Sequence, residues 1–333
     1  MRSKLALVMT CMLGLAAMAA GVRAETTEIR ITRQPGLLYL PMILMETGKL
    51  IEKHAKQEGL GDVKVSWVTF NSGGAATDAL LSGNVEFVTS GASNMLLLWD
   101  RTKGQVKGVA ACGGMPMYLV TKNPAIKSLK DFGPKDKIAV PMIKVSSQAT
   151  ILQMAAEKEF GEGQHGKLDS ITVQLGHPDA TLALLSPISE VNAHFSLPPY
   201  QNMALKDANV HRVLNSLDVF GGPVNNAIVF AHAKFHDANP KTIKAVIAAL
   251  TEASAMIKAD PKKAVEVYLS QVKEKQTADE LVELLKEPGV TFDVAPVGMT
   301  KFAKFMAKVG TLKTAPADWK EFFFAEAHGL PGN

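Results

Sequence analysis

The chain contains very little cysteine. Only Cys11 and Cys112 occur in 333 residues, and Cys11 lies in an apolar run near the start. If that run is removed as a leader, one cysteine remains, so no internal disulfide can form even in an oxidising compartment. We therefore expect a packed core to stabilise the fold.

Neither sign of charge is in large excess, and aromatic side chains are scarce. Lys plus Arg total 36 against 32 Asp plus Glu, and aromatic residues make up 6%. A leader with three basic residues and no acid would leave 33 against 32, a net charge of about +1. Since no basic stripe is present, we expect no nucleic-acid partner and no membrane-surface binding.

The N-terminal apolar run is too short to cross a membrane. Residues 5–20 span roughly 16 residues, against the ~20 that a membrane helix needs. Arg2 and Lys4 precede the run, and small residues lead to Ala24. This pattern predicts a secretory signal peptide over 1–24, cleaved after Ala24, and a periplasmic protein without a lipid anchor on Cys11. The alternative is a buried N-terminal helix.

The remaining 309 residues (333 minus 24) alternate between strand and helix patterns. This alternation is typical of an α/β fold with mostly parallel sheets covered by helices. Strands are predicted over 28–32, 63–70, 85–89, 106–111, 117–121, 137–140, 170–174, 190–195 and 225–231, and helices over 41–56, 74–82, 94–101, 147–160 and 179–185.

An internal repeat favours two related lobes. The letters ALLS at 79–82 recur at 183–186, an offset of 104 residues, and a predicted strand follows each copy. A match of four helical residues can also arise by chance. We predict that lobe 1 comprises 25–114 and 222–333 and that lobe 2 comprises 115–221. The pairs Gly113-Gly114 and Gly221-Gly222 would then lie near the hinge, although paired glycines also form ordinary turns.

Helices are predicted for the C-terminal part of the chain. Asn239 and Asp260 each precede a proline, which predicts two helix starts with these residues as N-caps. Thr277 and Glu280 form a capping box, and a last amphipathic helix is predicted near 302–309. We expect these helices to pack on lobe 1.

Small polar residues follow several predicted strands, where ligands bind in open α/β sheets. Helix N-termini there expose unpaired N–H groups, and small side chains let a ligand approach the backbone. Each such residue could also be an ordinary N-cap. The candidate ligand-binding residues are Gln34, Leu38, Tyr39, Ser72, Gly73, Gly91, Ala92, Ser93, Met115, Pro116, Ser146, Ser147, Gln148, His194, Phe195 and Asn225.

Two cationic side chains and several apolar side chains indicate what kind of ligand the protein binds. Arg33 and Lys144 are candidate contacts, or solvated surface charges. Exposed helix ends favour a small anion, whereas side chains such as Tyr39 and Phe195 favour an organic, even aromatic, body. These features together predict an organic anion such as a sulfonate or carboxylate.

Four segments of the chain carry a recognisable pattern, namely residues 34–50, 70–74, 80–87 and 191–200. They resemble the nitrate/sulfonate/taurine-type substrate-binding proteins of ABC importers and their thiamine-precursor-binding relatives. Glu86 and Asn192 stand where the family often has Asp, and the aromatic-proline segment lacks the Trp of some members. The resemblance implies a two-lobed type II periplasmic-binding fold, a monomer, and delivery of the solute to an ABC permease and its ATPase.

The sequence gives less support to other functions. Enzymes of the same fold make a thiamine pyrimidine, but they carry a cysteine-rich segment, and only Cys112 is present beyond the leader. No catalytic triad order, metal-ligand spacing or phosphate-binding glycine motif is found, so we predict no enzyme, no cofactor and no metal. The alternatives are pyrimidine binding, a biosynthetic enzyme of this fold, or a ligand sensor.

Overall fold

The computed structural model describes residues 24–273 and 275–333. The predicted signal peptide therefore lies almost wholly outside the described residues. Two separate five-stranded sheets organise the remaining chain, one in each lobe, and helices cover their faces. Among the described residues, no helix is both long and apolar enough to cross a bilayer.

Sheet I has the strand order β2-β1-β3-β10-β4. Its first three strands run parallel, and β10 is antiparallel to both β3 and β4. The strands at the centre of the sheet are almost completely buried, as expected when helices cover both faces of the sheet. They span Glu28–Arg33 (β1), Lys64–Thr69 (β2), Phe87–Gly91 (β3), Val106–Gly113 (β4) and Ala227–His232 (β10).

Sheet II repeats this arrangement in the order β7-β6-β8-β5-β9. Strands β7, β6 and β8 run parallel, while β5 is antiparallel to β8 and β9. The ALLS repeat lies in the helix before the third strand of each sheet, so the topology supports two related halves. The strands span Tyr118–Thr121 (β5), Ile138–Val140 (β6), Thr172–Gln174 (β7), Ala193–Ser196 (β8) and His211–Asn215 (β9). The lobe boundaries at 114–115 and 221–222 stay a prediction.

The helices of the first two thirds of the chain mostly follow strands. They span Leu40–Thr47 (α1), Leu50–Gln57 (α2), Gly73–Leu81 (α3), Ala92–Arg101 (α4), Ser147–Phe160 (α5), His177–Leu185 (α6), Tyr200–Ala204 (α7) and Ser216–Phe220 (α8). The single helix predicted over 41–56 is two helices, because Lys49 adopts a left-handed conformation with φ 49° between them.

The C-terminal helices pack on lobe 1, as predicted. The long helix α10 lies against α1 and α2, and α11 lies against α1. A stripe that includes Ile243, Val246 and Leu250 is fully buried in this contact. The helices span Ala233–Ala238 (α9), Pro240–Ala259 (α10), Pro261–Gln271 (α11), Ala278–Leu285 (α12) and Met299–Lys308 (α13).

One predicted helix cap is wrong. The side chain of Asn239 makes no capping bond to α10. The carboxylate of Glu25 instead accepts hydrogen bonds from the N–H groups of Lys241 and Thr242, at 2.9 Å each. Asn239 Oδ1 accepts from Thr26 N–H at 2.8 Å, so the asparagine anchors the start of the described chain.

The other two predicted caps are confirmed. Asp260 accepts a hydrogen bond from Lys263 N–H at 2.9 Å, and Thr277 with Glu280 forms the complete capping box. The sequence analysis missed α7, α8, α9 and β9, which are five or six residues long and too short to show a period.

The two chain crossovers between the lobes touch one another. Gly114 forms an antiparallel bridge with Thr291, and a Cβ atom on Gly114 would lie 2.0 Å from the carbonyl oxygen of Val224. Only glycine allows this approach between the first crossover and the second. Gly221 has φ 76° and ends α8, so it serves as an ordinary helix cap.

Candidate functional site

A cavity of about 30 Å³ lies between the lobes, where strands of both sheets end. Its walls come from the loops after β1, β2, β3, β6 and β7 and from the helices that follow. The space is small, so it favours a small ligand. Its position at the carboxyl ends of the strands is the usual binding position in open α/β sheets.

The lobe 1 wall is formed by the N-termini of α3 and α4. Ser72 caps α3 by accepting a weak hydrogen bond from Ala75 N–H at 3.5 Å. Gly73, the first residue of α3, lies directly on Ser90 and Asn94, and a Cβ atom on Gly73 would be 2.0 Å from Asn94 Nδ2. The glycine therefore lets the start of α3 reach the end of β3.

The lobe 2 wall is formed by the N-termini of α5 and α6. Ser146 caps α5: its Oγ accepts from Ala149 N–H at 3.2 Å and donates to the carbonyl of Met142 at 2.8 Å. The next two residues, Ser147 and Gln148, line the cavity. Their N–H groups, like that of Gly73, belong to a first helical turn and have no intrahelical partner. No other group of the described residues accepts a hydrogen bond from them.

Two buried histidines continue from the lobe 2 wall into the core. Gln148 Nε2 donates to His177 Nε2 at 3.1 Å, and His177 Nδ1 lies 3.0 Å from His194 Nε2. Gln148, His177 and His194 therefore form a hydrogen-bonded chain from the cavity wall into the core. Tyr200 stacks on the His177 ring with an interplanar angle of 12°.

Both histidines are neutral at physiological pH. Burial lowers the pKa of His177 from its ordinary 6.5 to about 3. Burial, together with the neighbouring His177, also holds the pKa of His194 well below its ordinary value. The His177 ring therefore offers the cavity a neutral polar surface.

No charged side chain lines the cavity among the described residues. Arg33 lies outside it and pairs with Glu46, with 2.8 Å between Arg33 Nε and Glu46 Oε2. Lys144 is exposed and is not part of the lining. The positive potential in the cavity therefore comes from four helix N-termini, two on each lobe.

The lobes contact each other at the cavity rim. Ser147 Oγ lies 3.5 Å from the N–H of Ser93, and a Cβ atom on Gly91 would be 2.7 Å from the same Oγ. The N–H of Leu37 donates to the carbonyl of Pro198 at 3.1 Å. The structure is therefore that of a closed cleft.

Solved structures with this architecture were found, although a scan of protein-family models and a search of curated proteins found no match. An alkanesulfonate-binding protein from Xanthomonas axonopodis pv. citri, bound to MOPS, has a TM-score of 0.68 and 18% identity, covering 91% of this chain and 98% of that one. A periplasmic aliphatic sulphonate-binding protein from Escherichia coli has a TM-score of 0.65 and 19% identity, covering 91% and 99%. A periplasmic nitrate-binding protein from Synechocystis PCC 6803 has a TM-score of 0.67 and 12% identity, covering 93% and 86%.

The chain has the type II periplasmic-binding fold. The resemblance that the sequence motifs indicated is thereby confirmed at the level of the fold. In this fold the cavity between the lobes occupies the cleft that the sequence analysis expected.

The cleft of this periplasmic-binding fold contains half of the residues that the sequence analysis nominated. Since no ligand is present, their contact with one stays a prediction. The nominated residues that line the cavity are Gln34, Leu38, Tyr39, Gly73, Gly91, Ser146, Ser147 and Gln148.

The other nominated residues lie beside or behind the cleft wall. His194 is fully buried behind His177, and Phe195 is in the core. Asn225 donates to the carbonyl of Ala295 instead of facing the cavity. The nominated residues that do not line it are Ser72, Ala92, Ser93, Met115, Pro116, His194, Phe195 and Asn225.

Ten lining residues were not nominated. Asn226 takes the place predicted for Asn225, and its side chain bonds both the N–H and the carbonyl of Met115 on the first crossover. His177 opens α6 at the end of a loop that follows a strand, which is the same kind of position as that of Ser147 at the start of α5. The full set is Pro35, Asn71, Ser90, Asn94, Met117, Pro141, His177, Pro178, Leu197 and Asn226.

Proposed function

We propose that this protein is a periplasmic solute-binding protein that captures a small organic anion and delivers it to an ABC importer. The observation that carries the proposal is the cavity between the lobes, where four helix N-termini meet and to whose lining the described part of the chain contributes no charged side chain. The structurally similar binding proteins for alkanesulfonate, aliphatic sulphonate and nitrate support an anion.

The helix N-termini account for the choice of an anion. Each helix end favours a nearby negative charge by about 0.3–1 kcal/mol, so four ends together favour it by roughly 1–4 kcal/mol. The N–H groups of Gly73, Ser147 and Gln148 supply donors, and hydrogen bonds to a charged acceptor contribute about 1.5–3 kcal/mol each. Capture of an anion by these groups needs no cationic side chain.

Lobe closure is the proposed capture step. A ligand that bridges donors on both lobes binds the closed form more tightly and shifts the population toward it. Conversion of a mostly open protein into a mostly closed one requires a differential affinity of about 5 kcal/mol. The helix ends and two or three charged hydrogen bonds are sufficient to provide it.

Export and the transporter partner follow from the same proposal. The leader pattern over residues 1–24 directs the chain to the periplasm, where cleavage after Ala24 leaves Glu25 as the first residue. Glu25 is then positioned to cap α10, as the structure shows. The closed protein presents its solute to an ABC permease and its ATPase.

A thermal-shift screen tests the proposal. Sulfonates, carboxylates, nitrate and pyrimidines are added to the purified mature protein, and we expect a concentration-dependent rise in Tm with a small organic anion. Ser147→Phe places a bulky ring in the cavity and should abolish this rise. Ser270→Phe, the same change on the exposed face of α11, should leave it intact.

Two results would contradict the proposal. One is a pyrimidine that stabilises the protein while every anion fails, which would favour the thiamine-precursor alternative. The other is ligand-induced stabilisation that survives Ser147→Phe, which would place the binding site elsewhere.

A further inference from the structure

The side chain of Asn94, in the cleft wall, has a hydrogen-bond acceptor without a partner among the described residues. Asn94 lies in the first turn of α4, lines the cavity and is 7% exposed. Its Nδ2 donates to Ser90 Oγ at 2.8 Å. Its Oδ1 is buried and accepts no hydrogen bond from the described residues.

Three elements hold this amide in place. Ser90 comes from the end of β3, Asn94 from α4, and Gly73 from the start of α3. A Cβ atom on Gly73 would lie 2.0 Å from Asn94 Nδ2 and 2.2 Å from Ser90 Oγ, so the absent side chain makes room for the Asn94–Ser90 hydrogen bond. That bond uses the amide nitrogen and leaves the carbonyl oxygen as the free group.

An unsatisfied buried acceptor costs about 1–3 kcal/mol, and a ligand that donates to it recovers that free energy. Nitrate and simple alkanesulfonates have no donor to offer. We propose that the ligand carries a hydroxyl group that donates to Asn94 Oδ1, so that the substrate class is a small hydroxy-substituted anion. This inference rests on the proposed capture of an anion in the cleft.

The electrostatic environment of the cavity favours a hydroxyl over an ammonium as the donor on the ligand. Among the described residues, no Asp or Glu lines the cavity, and the four helix N-termini disfavour positive charge. An ammonium bound to Asn94 Oδ1 would have a neutral partner, and a buried charge without a charged partner is strongly disfavoured. A neutral hydroxyl satisfies Asn94 without that penalty.

Two ligand series test the inference by isothermal titration calorimetry. The first is acetate, hydroxyacetate and aminoacetate, and the second is ethanesulfonate, 2-hydroxyethanesulfonate and 2-aminoethanesulfonate. In the series that binds, we expect the hydroxylated anion to bind about 5- to 150-fold more tightly than the donor-free anion. The amine should bind more weakly than the hydroxylated anion.

Matched variants assign the preference to Asn94. Asn94→Leu should remove the preference, so that the hydroxylated and donor-free anions bind this variant within about threefold of each other. Asn202→Leu removes another unpartnered buried amide oxygen that lies outside the cavity lining, and it should leave the preference unchanged. If Asn94→Leu does not fold, Ser90→Ala provides a second test, because it frees the amide from its partner and should weaken the preference.

The possible failures are distinguishable. If donor-free and hydroxylated anions bind wild type within twofold of each other, if the amine binds most tightly, or if the preference survives Asn94→Leu and Ser90→Ala, the hydroxyl inference is wrong while anion capture stands. If none of the six compounds binds, the inference fails for these anions; the proposed function fails as well only if the thermal-shift screen also finds no stabilising anion.

Discussion

The substitution Gly91→Ala should block lobe closure without disturbing either lobe. Gly91 is the N-cap of α4 with φ −60° and ψ 146°, a conformation open to any L-residue. A Cβ atom there would lie 2.7 Å from Ser147 Oγ on the opposite lobe and 3.6 Å from Ser147 Cβ. Only the first distance is too short, so the conflict is between one added methyl group and one hydroxyl oxygen.

The expected effect can be sized from this contact. Overpacking by one methyl group costs typically 1–3 kcal/mol, and the cost falls only on the closed form. The Kd for a stabilising anion should therefore rise about 5- to 150-fold. The free energy of unfolding of the unliganded, open protein should change by less than about 0.5 kcal/mol.

A double-mutant cycle gives the assay its control. Calorimetric Kd values are measured for wild type, Gly91→Ala, Ser147→Ala and the double variant. Since Ser147→Ala removes the conflicting Oγ, Gly91→Ala should have little effect on Kd in that background. An equal loss of affinity in both backgrounds, or no loss in either, would refute the proposed closure contact.

Three further substitutions or conditions have expected outcomes. Glu25→Ala should lower the free energy of unfolding by about 1 kcal/mol, because α10 loses its N-terminal cap; an unchanged denaturant midpoint would contradict that role. Gly114→Ala should lower the free energy of unfolding by roughly 1–3 kcal/mol, because the new Cβ meets the carbonyl of Val224. Gly329→Ala should be neutral, because open space surrounds Gly329. Equal effects of the two substitutions would show that the crossovers do not need their close approach. Between its unfolded pKa of 6.5 and its folded pKa of about 3, His177 binds protons only when unfolded, so stability should fall as pH drops below 6.5, by about 2 kcal/mol at pH 5. His177→Gln should reduce this pH dependence in denaturant titrations without removing it, because the pKa of the buried His194 is also lowered; an unchanged slope would show that His177 does not contribute.

Local chemistry was sufficient to predict part of the site. Ser146, Ser147 and Gln148 follow a buried strand and open a periodic helix. That pattern alone places them at a strand end, where Ser147 and Gln148 have free N–H groups. Gly73 was found by the same logic. Where a residue's role depends on its own helix terminus, the sequence carries the information.

Other parts depend on contacts that the sequence does not reveal. Asn239 has the local features of a cap, but Glu25, more than 200 positions away, occupies the helix end. Asn226 lines the cleft and Asn225 does not, because neighbouring residues near a strand point to opposite sides and a shift of one position exchanges them. The partners of His177 are Gln148 on α5 and His194 on β8, which only the packing of these elements against α6 brings together.

A crystal structure with the anion that raises Tm most would test the account most directly. We expect the anion between the lobes, with its oxygen atoms within about 3.2 Å of the N–H groups of Gly73, Ser147 or Gln148. An anion bound outside this cavity, or held there chiefly by Arg33 or Lys144, would contradict it.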